Sequence, residues 1–202
     1  YASGDTALRI SAVSACVSLR SETIASLPCQ VFKRTKDGRE VDRNHPLYHI
    51  LHDSPNEDMS AFEFWQTCEQ DLCIDGNFYA RIQTDGRNDV SGLYPLDPSK
   101  MDVQRDKQTG ILVYLYKDGP TVTPYLRDEI LHIPGRGYDG MKRLKGMSPV
   151  AYMAQDIAIA GFQEGYTEQY FRNNAAPRAY IAHPQTLSPK AKDTILDNMM
   201  DK

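Results

Sequence analysis

Three histidines come closest to a metal-binding pattern in this sequence. His45, His49 and His52 are spaced four and three apart, so a helix would place them on one face. Imidazole is a common zinc ligand, which makes a cytosolic metal-dependent hydrolase one interpretation. The segment lacks the glutamate of a His-Glu-x-x-His zincin, and no fourth ligand follows at a useful spacing. Exposed or partly packed histidines are the competing interpretation.

A glycine-rich segment, residues 135–140, comes before the longest predicted helix. Helix N-termini attract anions, so such a loop could hold a phosphate, but it lacks the Gly-Lys-Ser/Thr of a Walker loop. The sequence contains no Gly-x-Ser-x-Gly elbow and no cysteine within a recognisable catalytic signature. We therefore predict a protein that is not an enzyme, with no cofactor and no bound metal.

Composition limits the partners and the compartment. The chain has 202 residues with 41% hydrophobic content, which is enough for a real core. Its net charge is -4, and no run of lysines or arginines forms a phosphate-binding patch, so tight nucleic-acid binding is not expected. No signal segment is recognised, and we expect reduced, buried thiols in a cytosolic environment. The four cysteines are Cys16, Cys29, Cys68 and Cys73.

The first part of the chain alternates helices with a short hairpin. The spacing predicts an amphipathic helix over residues 6–27, ended by Pro28. A hairpin follows, with strands at 29–34 and 40–42 around an Asp37-Gly38 turn. Next comes a short helix over residues 45–52. Ser60 and Glu63 then form a capping box for a helix over residues 61–75.

The middle of the chain has the pattern of an antiparallel sheet, which makes the fold class α+β. Beyond Pro177 we predict a strand at 179–182 and a helix from Ser188 to the last residue, Lys202. That helix has no stop signal, so we expect the chain to be part of a longer protein. The strands of the sheet are predicted at residues 78–83, 90–96, 101–105, 111–116 and 129–133.

A long helix is predicted over residues 148–174. Ser148 is a suitable N-cap and Pro149 a suitable first residue, and about 27 residues would form a rod roughly 40 Å long. Small residues form one narrow stripe along it, while aromatic and aliphatic residues occupy other sides, so we expect the rod to lie between neighbours. The small stripe consists of Ala154, Ala158, Gly161 and Gly165.

Acidic residues interrupt the same helix. Asp156, Glu164 and Glu168 leave no apolar run of the ~20 residues that a membrane span requires. The spacing of Gly161 and Gly165 therefore predicts close approach of another backbone in water rather than in lipid.

Short motifs follow one another from the first helix to the end of the long one. The motifs are residues 12–17 and 22–28, His45-Pro46-Leu47-Tyr48, Ser54-Pro55-Asn56, Phe62-Glu63-Phe64, Gly76-Asn77-Phe78-Tyr79-Ala80, Tyr94-Pro95-Leu96-Asp97-Pro98, Glu129-Ile130-Leu131-His132-Ile133, Asp139-Gly140, Gly146-Met147-Ser148-Pro149 and Phe171-Arg172-Asn173-Asn174-Ala175-Ala176-Pro177. Taken in order, they resemble the portal proteins of tailed bacteriophages, HK97 family, and the resemblance covers nearly the whole chain. Family members continue well beyond the position of Lys202.

The resemblance implies a head-tail connector. Such a subunit joins a ring of twelve copies at one capsid vertex of the virion, assembled in the cytoplasm of the bacterial host. Double-stranded DNA passes through the ring during packaging and ejection, without sequence specificity. The implied partners are terminase, which supplies the ATP-driven force, the major capsid protein and the neck or adaptor proteins.

The resemblance also implies a domain order. Residues 1–138 resemble the wing domain, residues 139–175 the connector loop and stem helix, and residues 176–202 the start of a small α/β clip. In this interpretation the small stripe packs subunits together, and Asp156, Glu164 and Glu168 are candidates for lining the channel. A capsid scaffold protein without a channel stays open as an alternative, beside the metal-dependent hydrolase.

Overall fold

The computed structural model describes residues 4–137, 144–173, 175 and 188–200. The chain divides into two compact units, residues 1–161 and residues 162–202, and each is described by itself. The strand predicted at residues 179–182 lies outside the described residues.

The first helical segment is broken rather than continuous. Helix α1 spans Gly4–Leu8 and helix α2 spans Ser11–Ala25. Between them Ile10 takes an extended conformation, with φ -79° and ψ 118°. Its side chain is buried in a small cluster with Ala7, so tertiary packing overrides the helical spacing at this point. As predicted, the helix ends before Pro28.

A hairpin and two helices follow. Strands β1 (Phe32–Thr35) and β2 (Gly38–Val41) pair with Thr35 opposite Gly38, so the turn is Lys36-Asp37, one residue before the predicted position. Helix α3 spans Pro46–His52 and helix α4 spans Ala61–Ile74.

Local capping signals determine where α4 begins and ends. The Glu63 N–H donates to the Ser60 hydroxyl, and the Ser60 N–H donates to the Glu63 carboxylate, which confirms the predicted capping box. At the other end Gly76 has φ +72°, the left-handed conformation typical of a residue after a helix. Helix α2 packs along α4, where Arg20 forms an ion pair with the buried carboxylate of Glu69.

The middle of the chain forms two antiparallel three-stranded sheets rather than one, with strand orders β4-β3-β8 and β5-β6-β7. Strand β7, which contains Pro124, is not among the strands that the sequence predicts. The proline is tolerated because β7 is an edge strand. The strands are β3 (Asn77–Thr84), β4 (Val90–Leu96), β5 (Met101–Arg105), β6 (Leu112–Asp118), β7 (Thr121–Tyr125) and β8 (Ile130–Pro134), and a 3₁₀ turn spans Pro98–Lys100.

The first half of strand β3, residues 77–80, is buried on both faces and separates two hydrophobic clusters. Phe78 and Ala80 point toward α3 and α4, whereas Tyr79 points toward the β5-β6-β7 sheet. The side of the helices contains Ile50, Phe64, Cys68, Phe78, Ala80 and Leu93, and the other side contains Tyr79, Met101, Val103, Tyr114 and Ile130. The α+β class is confirmed.

The long helix consists of two pieces, α5 (Pro149–Tyr152) and α6 (Ala154–Arg172), so the prediction of one continuous helix over residues 148–174 is wrong. Met153, with φ -97° and ψ 16°, interrupts the helix after its first turn. The predicted start is confirmed, because Ser148 caps α5 by accepting from the Ala151 N–H at 3.0 Å. Helix α7 spans Pro189–Met200.

None of the described helices combines the length with the apolar character that a transmembrane span requires. The cysteines of the described chain are free, but Cys16 is exposed, so the prediction that all four are buried is wrong. Burial raises the pKa of the Cys68 thiol to about 12, so this thiol is protonated at neutral pH.

Candidate subunit interface on the long helix

Helix α6 exposes apolar side chains around most of its circumference. Ile157 is its only buried residue, packed with Ala7, Ile10 and Val150. An ordinary surface helix buries its apolar side chains along one face, so this helix lacks partners for most of its apolar surface within the described residues. The exposed apolar side chains are Ile159, Phe162, Tyr166, Tyr170 and Phe171, together with Met153 before α6 and Tyr152 at the end of α5.

An aromatic row runs along one side of α6. Phe162, Tyr166 and Tyr170 follow one another at i, i+4 and i+8, with 78%, 71% and 44% of their surfaces exposed. Burial of these rings would remove about 400 Å² of largely apolar surface from water, which is worth up to about 10 kcal/mol. Sequence reasoning missed Phe162, although its spacing to Tyr166 was the available signal.

The predicted small stripe lies on α6 but is not used within the described protomer. Ala154 is half-buried, whereas Ala158, Gly161 and Gly165 are exposed. A Cβ added at Gly161 or Gly165 would meet no described atom within 4 Å. Each glycine costs a helix about 1 kcal/mol relative to alanine, so the protomer alone has no reason to keep them.

The three predicted acids of this helix are exposed and spread over more than a quarter of its circumference. Asp156, Glu164 and Glu168 form no ion pair within the part of the chain that the structure describes. Glu164 and Glu168 also repel each other at i and i+4. The structure therefore does not bring the three acids together, and they stay candidates for channel lining.

A buried polar network fixes the segment that leads into α5. The Asn77 Oδ1 accepts from the Gly146 N–H at 2.7 Å and from His132 Nε2 at 3.2 Å. Its Nδ2 donates to the carbonyls of Gly146 at 2.9 Å and Asp75 at 3.2 Å, so the amide is fully satisfied. Ser148 adds a hydrogen bond of 2.6 Å from its hydroxyl to the Ile74 carbonyl.

The protonation state of His132 follows from this network. Because Asn77 Oδ1 accepts, His132 Nε2 carries the hydrogen, and Nδ1 accepts from the Tyr114 hydroxyl at 3.3 Å. Burial, together with the positive charge of Lys145, lowers the pKa of His132 to about 4. The ring is therefore neutral at pH 7 and serves as a structural connection between β3, β6 and β8.

Close backbone packing reinforces the same junction. Gly76 and Gly146 lie so near to neighbouring backbone that an added Cβ would overlap the Met147 carbonyl and the Gly76 carbonyl, respectively. The Gly135 N–H also donates to the Gly76 carbonyl at 2.8 Å. The start of the long helix is thus held directly against the end of α4 and the start of β3.

The three histidines are separated rather than gathered at a metal site. His45 Nδ1 caps α3 by accepting from the Leu47 N–H, and His49 Nδ1 lies 2.9 Å from the Asp53 carboxylate. His52 Nδ1 donates to the Cys29 carbonyl at 3.1 Å. No group of three metal-ligating side chains is found among the residues that the structure describes.

The strand before the glycine-rich segment does not fit a dinucleotide-binding motif. Gly135, Gly137 and Gly140 have Gly-x-Gly-x-x-Gly spacing, which marks dinucleotide binding only between a parallel strand and a helix. The preceding strand β8 is antiparallel to β3. Residues 138–143 of this loop lie outside the described residues.

These features define a class of protein: an α+β chain whose long helix, among the described residues, leaves most of its apolar side chains and two glycines without packing partners. The sequence model of the phage portal protein family matches residues 11–202, and the chain belongs to that family. The portal protein of Enterobacteria phage HK97 is 32% identical over 197 residues, covering 96% of this chain. The resemblance seen in the motifs is confirmed. The chain spans less than half, 45%, of that relative's length.

Solved structures share the fold. Chains from necks of gene transfer agent (GTA) particles, computed with C6 and C12 symmetry, give TM-scores of 0.72 and 0.68 at 18% and 16% identity. They cover 97% and 96% of this chain, which matches 54% and 52% of theirs. An HK97 family phage portal protein from Corynebacterium diphtheriae gives 0.58 at 17% identity, with coverage of 96% and 59%.

Proposed function

We propose that this chain is a subunit of a portal ring. Substitutions in helix α6 test this proposal most directly. The ring would contain twelve copies and occupy one capsid vertex of the virion, after assembly in the cytoplasm of the bacterial host. Double-stranded DNA would pass through it during packaging and ejection, with terminase, the major capsid protein and neck proteins as partners. No catalytic role is assigned, and no cofactor is needed.

The single observation that carries this proposal is the pair of glycines in the exposed part of α6. Gly161 and Gly165 weaken the helix and gain nothing inside the described protomer, where a Cβ would meet open space. Close approach of a second helix would explain them, because only small residues allow backbones to come near. The symmetric necks that contain chains of the same fold support this explanation.

The domain order belongs to the same proposal. Residues 1–138 are assigned to the wing, 139–175 to the connector and stem helix, and 176–202 to the start of the clip. The hydrogen bonds of Asn77 and Ser148 support a boundary near Ser148, since they hold the segment before α5 against the wing.

Charge supports passage of DNA rather than retention. Each phosphate that a protein neutralises adds affinity through counterion release, which would slow a moving duplex. The chain carries a net charge of -4, and the exposed acids of α6 have no cationic partner among the described residues. We therefore assign Asp156, Glu164 and Glu168 to the channel side of the ring, and the stripe of Ala154, Ala158, Gly161 and Gly165 to subunit packing.

Substitution of Gly161 tests the proposal. Gly161→Leu should abolish rings in negative-stain micrographs and lower the sedimentation coefficient, because the added side chain blocks close helix approach. Gly86→Leu is the matched control, since Gly86 is also a glycine whose Cβ would meet open space. Gly161→Ala should stabilise the folded protomer by up to about 1 kcal/mol. If this variant also forms fewer rings, the loss cannot be caused by unfolding. Normal rings from Gly161→Leu would refute the packing assignment.

A further inference from the structure

The β1–β2 hairpin, residues 32–41, has no core of its own. Every strand residue except Val41 is exposed, and the hairpin contributes to none of the hydrophobic clusters among the described residues. Two-stranded hairpins are at best marginally stable in water without further packing. Packing against an external partner would therefore stabilise this hairpin.

The base of the hairpin is nevertheless fixed. His52 donates from Nδ1 to the Cys29 carbonyl at 3.1 Å, which ties the chain before β1 to α3. The Asp42 N–H donates to the Val31 carbonyl at 2.8 Å and closes the strand pair. These two bonds hold the base of the hairpin.

One face of the hairpin carries unmatched positive charge. Arg34 lies directly opposite Arg39, and residues paired in this way point to the same face. The Arg39 guanidinium lies 5.2 Å from the centroid of the exposed Phe32 ring. Neither arginine forms a side-chain ion pair or hydrogen bond within the described part of the chain. On the other face Lys33 is balanced by Glu40 directly opposite.

Two like charges placed opposite each other destabilise a strand pair unless an anion lies between them. Guanidinium groups bind carboxylates with paired hydrogen bonds, and the neighbouring ring of Phe32 favours a contact that is partly apolar. The ligand that this face fits is therefore an anionic group beside an apolar contact, and the charge of the rest of the chain bears on which partner supplies it.

We propose that the face formed by Phe32, Arg34 and Arg39 binds carboxylates of a second copy of this chain, the neighbouring subunit of the ring. This inference rests on the proposed function. Charge complementarity selects the partner: residues 32–43 contain five cationic and three acidic residues, whereas the whole chain has a net charge of -4, so the remainder is more acidic still. A duplex would have to approach that acidic body, while another copy offers acidic surface to the hairpin.

A charge-reversal pair with a matched control tests the inference. R34E/R39E reverses the proposed face, and K33E/K36E changes the net charge equally at the opposite face and the turn. Sedimentation velocity of the full chain at about 0.1 M NaCl should show association about tenfold weaker for R34E/R39E and changed less than about threefold for K33E/K36E. At about 1 M NaCl wild type should approach R34E/R39E, since salt screens exposed charges.

The neutral pair R34Q/R39Q separates charge from misfolding. It should weaken association less than R34E/R39E and leave the circular dichroism spectrum unchanged. Wild-type chain that does not associate would overturn the proposed ring together with this inference. Wild-type association that R34E/R39E leaves intact would overturn the hairpin inference alone. If R34E/R39E instead lost binding to a fluorescent duplex and kept its self-association, the partner would be nucleic acid, which also overturns the inference.

Discussion

Replacing Asp71 with asparagine should expose a pH dependence of unfolding that wild type conceals. Burial raises the pKa of Asp71 to about 7, and the carboxylates of Asp75 and Asp97 add to that shift. Burial lowers the pKa of His132 to about 4, with a further contribution from Lys145. The two groups have opposite effects on stability over the same range of pH.

Linkage gives the sign of each effect. Unfolded His132 takes up a proton below its ordinary pKa of 6.5, whereas the folded protein does so only near 4, so acid lowers the free energy of unfolding. Folded Asp71 holds its proton below about 7, whereas the unfolded side chain does so only below 3.8, so acid raises the free energy of unfolding. Between about pH 6.5 and 4 the two contributions nearly cancel.

The magnitude follows from the size of the shifts. A single fully effective group changes the free energy of unfolding by about 1.4 kcal/mol per pH unit. Both side chains keep contact with solvent, so we take about half of that effect. The free energy of unfolding of Asp71→Asn should therefore fall by about 1 to 1.5 kcal/mol, relative to wild type, when the pH is lowered from about 6.5 to about 4.5.

Urea unfolding followed by tryptophan fluorescence measures this difference, because the single tryptophan, Trp65, packs against the core cluster of α3, α4 and β3. His132→Gln is the opposite control, because it keeps the contribution of Asp71 and removes that of His132. Its free energy of unfolding should rise relative to wild type when the pH is lowered, whatever the difference between the two proteins at neutral pH. Parallel profiles of Asp71→Asn and wild type across this range would refute the reasoning.

Two further predictions concern the junction and the acids of the long helix. Asn77→Ala should lower the free energy of unfolding by about 3 kcal/mol, because it leaves several buried partners unsatisfied. Thermal denaturation measures this loss, and the exposed control Asn44→Ala should show little change. The pair E164Q/E168Q should raise the affinity for a fluorescent duplex by about threefold at low salt, whereas E22Q on α2 should not. An unchanged duplex affinity for E164Q/E168Q would contradict the channel assignment.

Capping residues close in sequence predicted where α4 and α5 begin. The capping box of Ser60 and Glu63 and the N-cap of Ser148 were both found, because their donors and acceptors lie three residues apart. The breaks at Ile10 and Met153 could not be found in this way. At Ile10 the backbone departs from a helix to bury a side chain whose partners Val150 and Ile157 lie far along the chain.

The candidate site was predicted in part for the same reason. Helical spacing identified Gly161 and Gly165, but whether they face space or protein depends on tertiary structure. The connection between Asn77 and His132 spans 55 residues, so no periodicity reveals it. The motifs that contain these two residues signalled the family without indicating that their side chains meet.

In the proposed ring, the hydrogen bonds before α5 and the exposed surface of α6 have a common explanation. A head-to-tail interface closes into a ring only if every subunit turns by the same angle, because a small error accumulates around the circle. The hydrogen bonds of Asn77 with Gly146, and of Ser148 with Ile74, remove freedom where the helix begins. In the proposed ring, a fixed start of α5 would let every copy form the same contact, and this is the role that we propose for the buried network of Asn77.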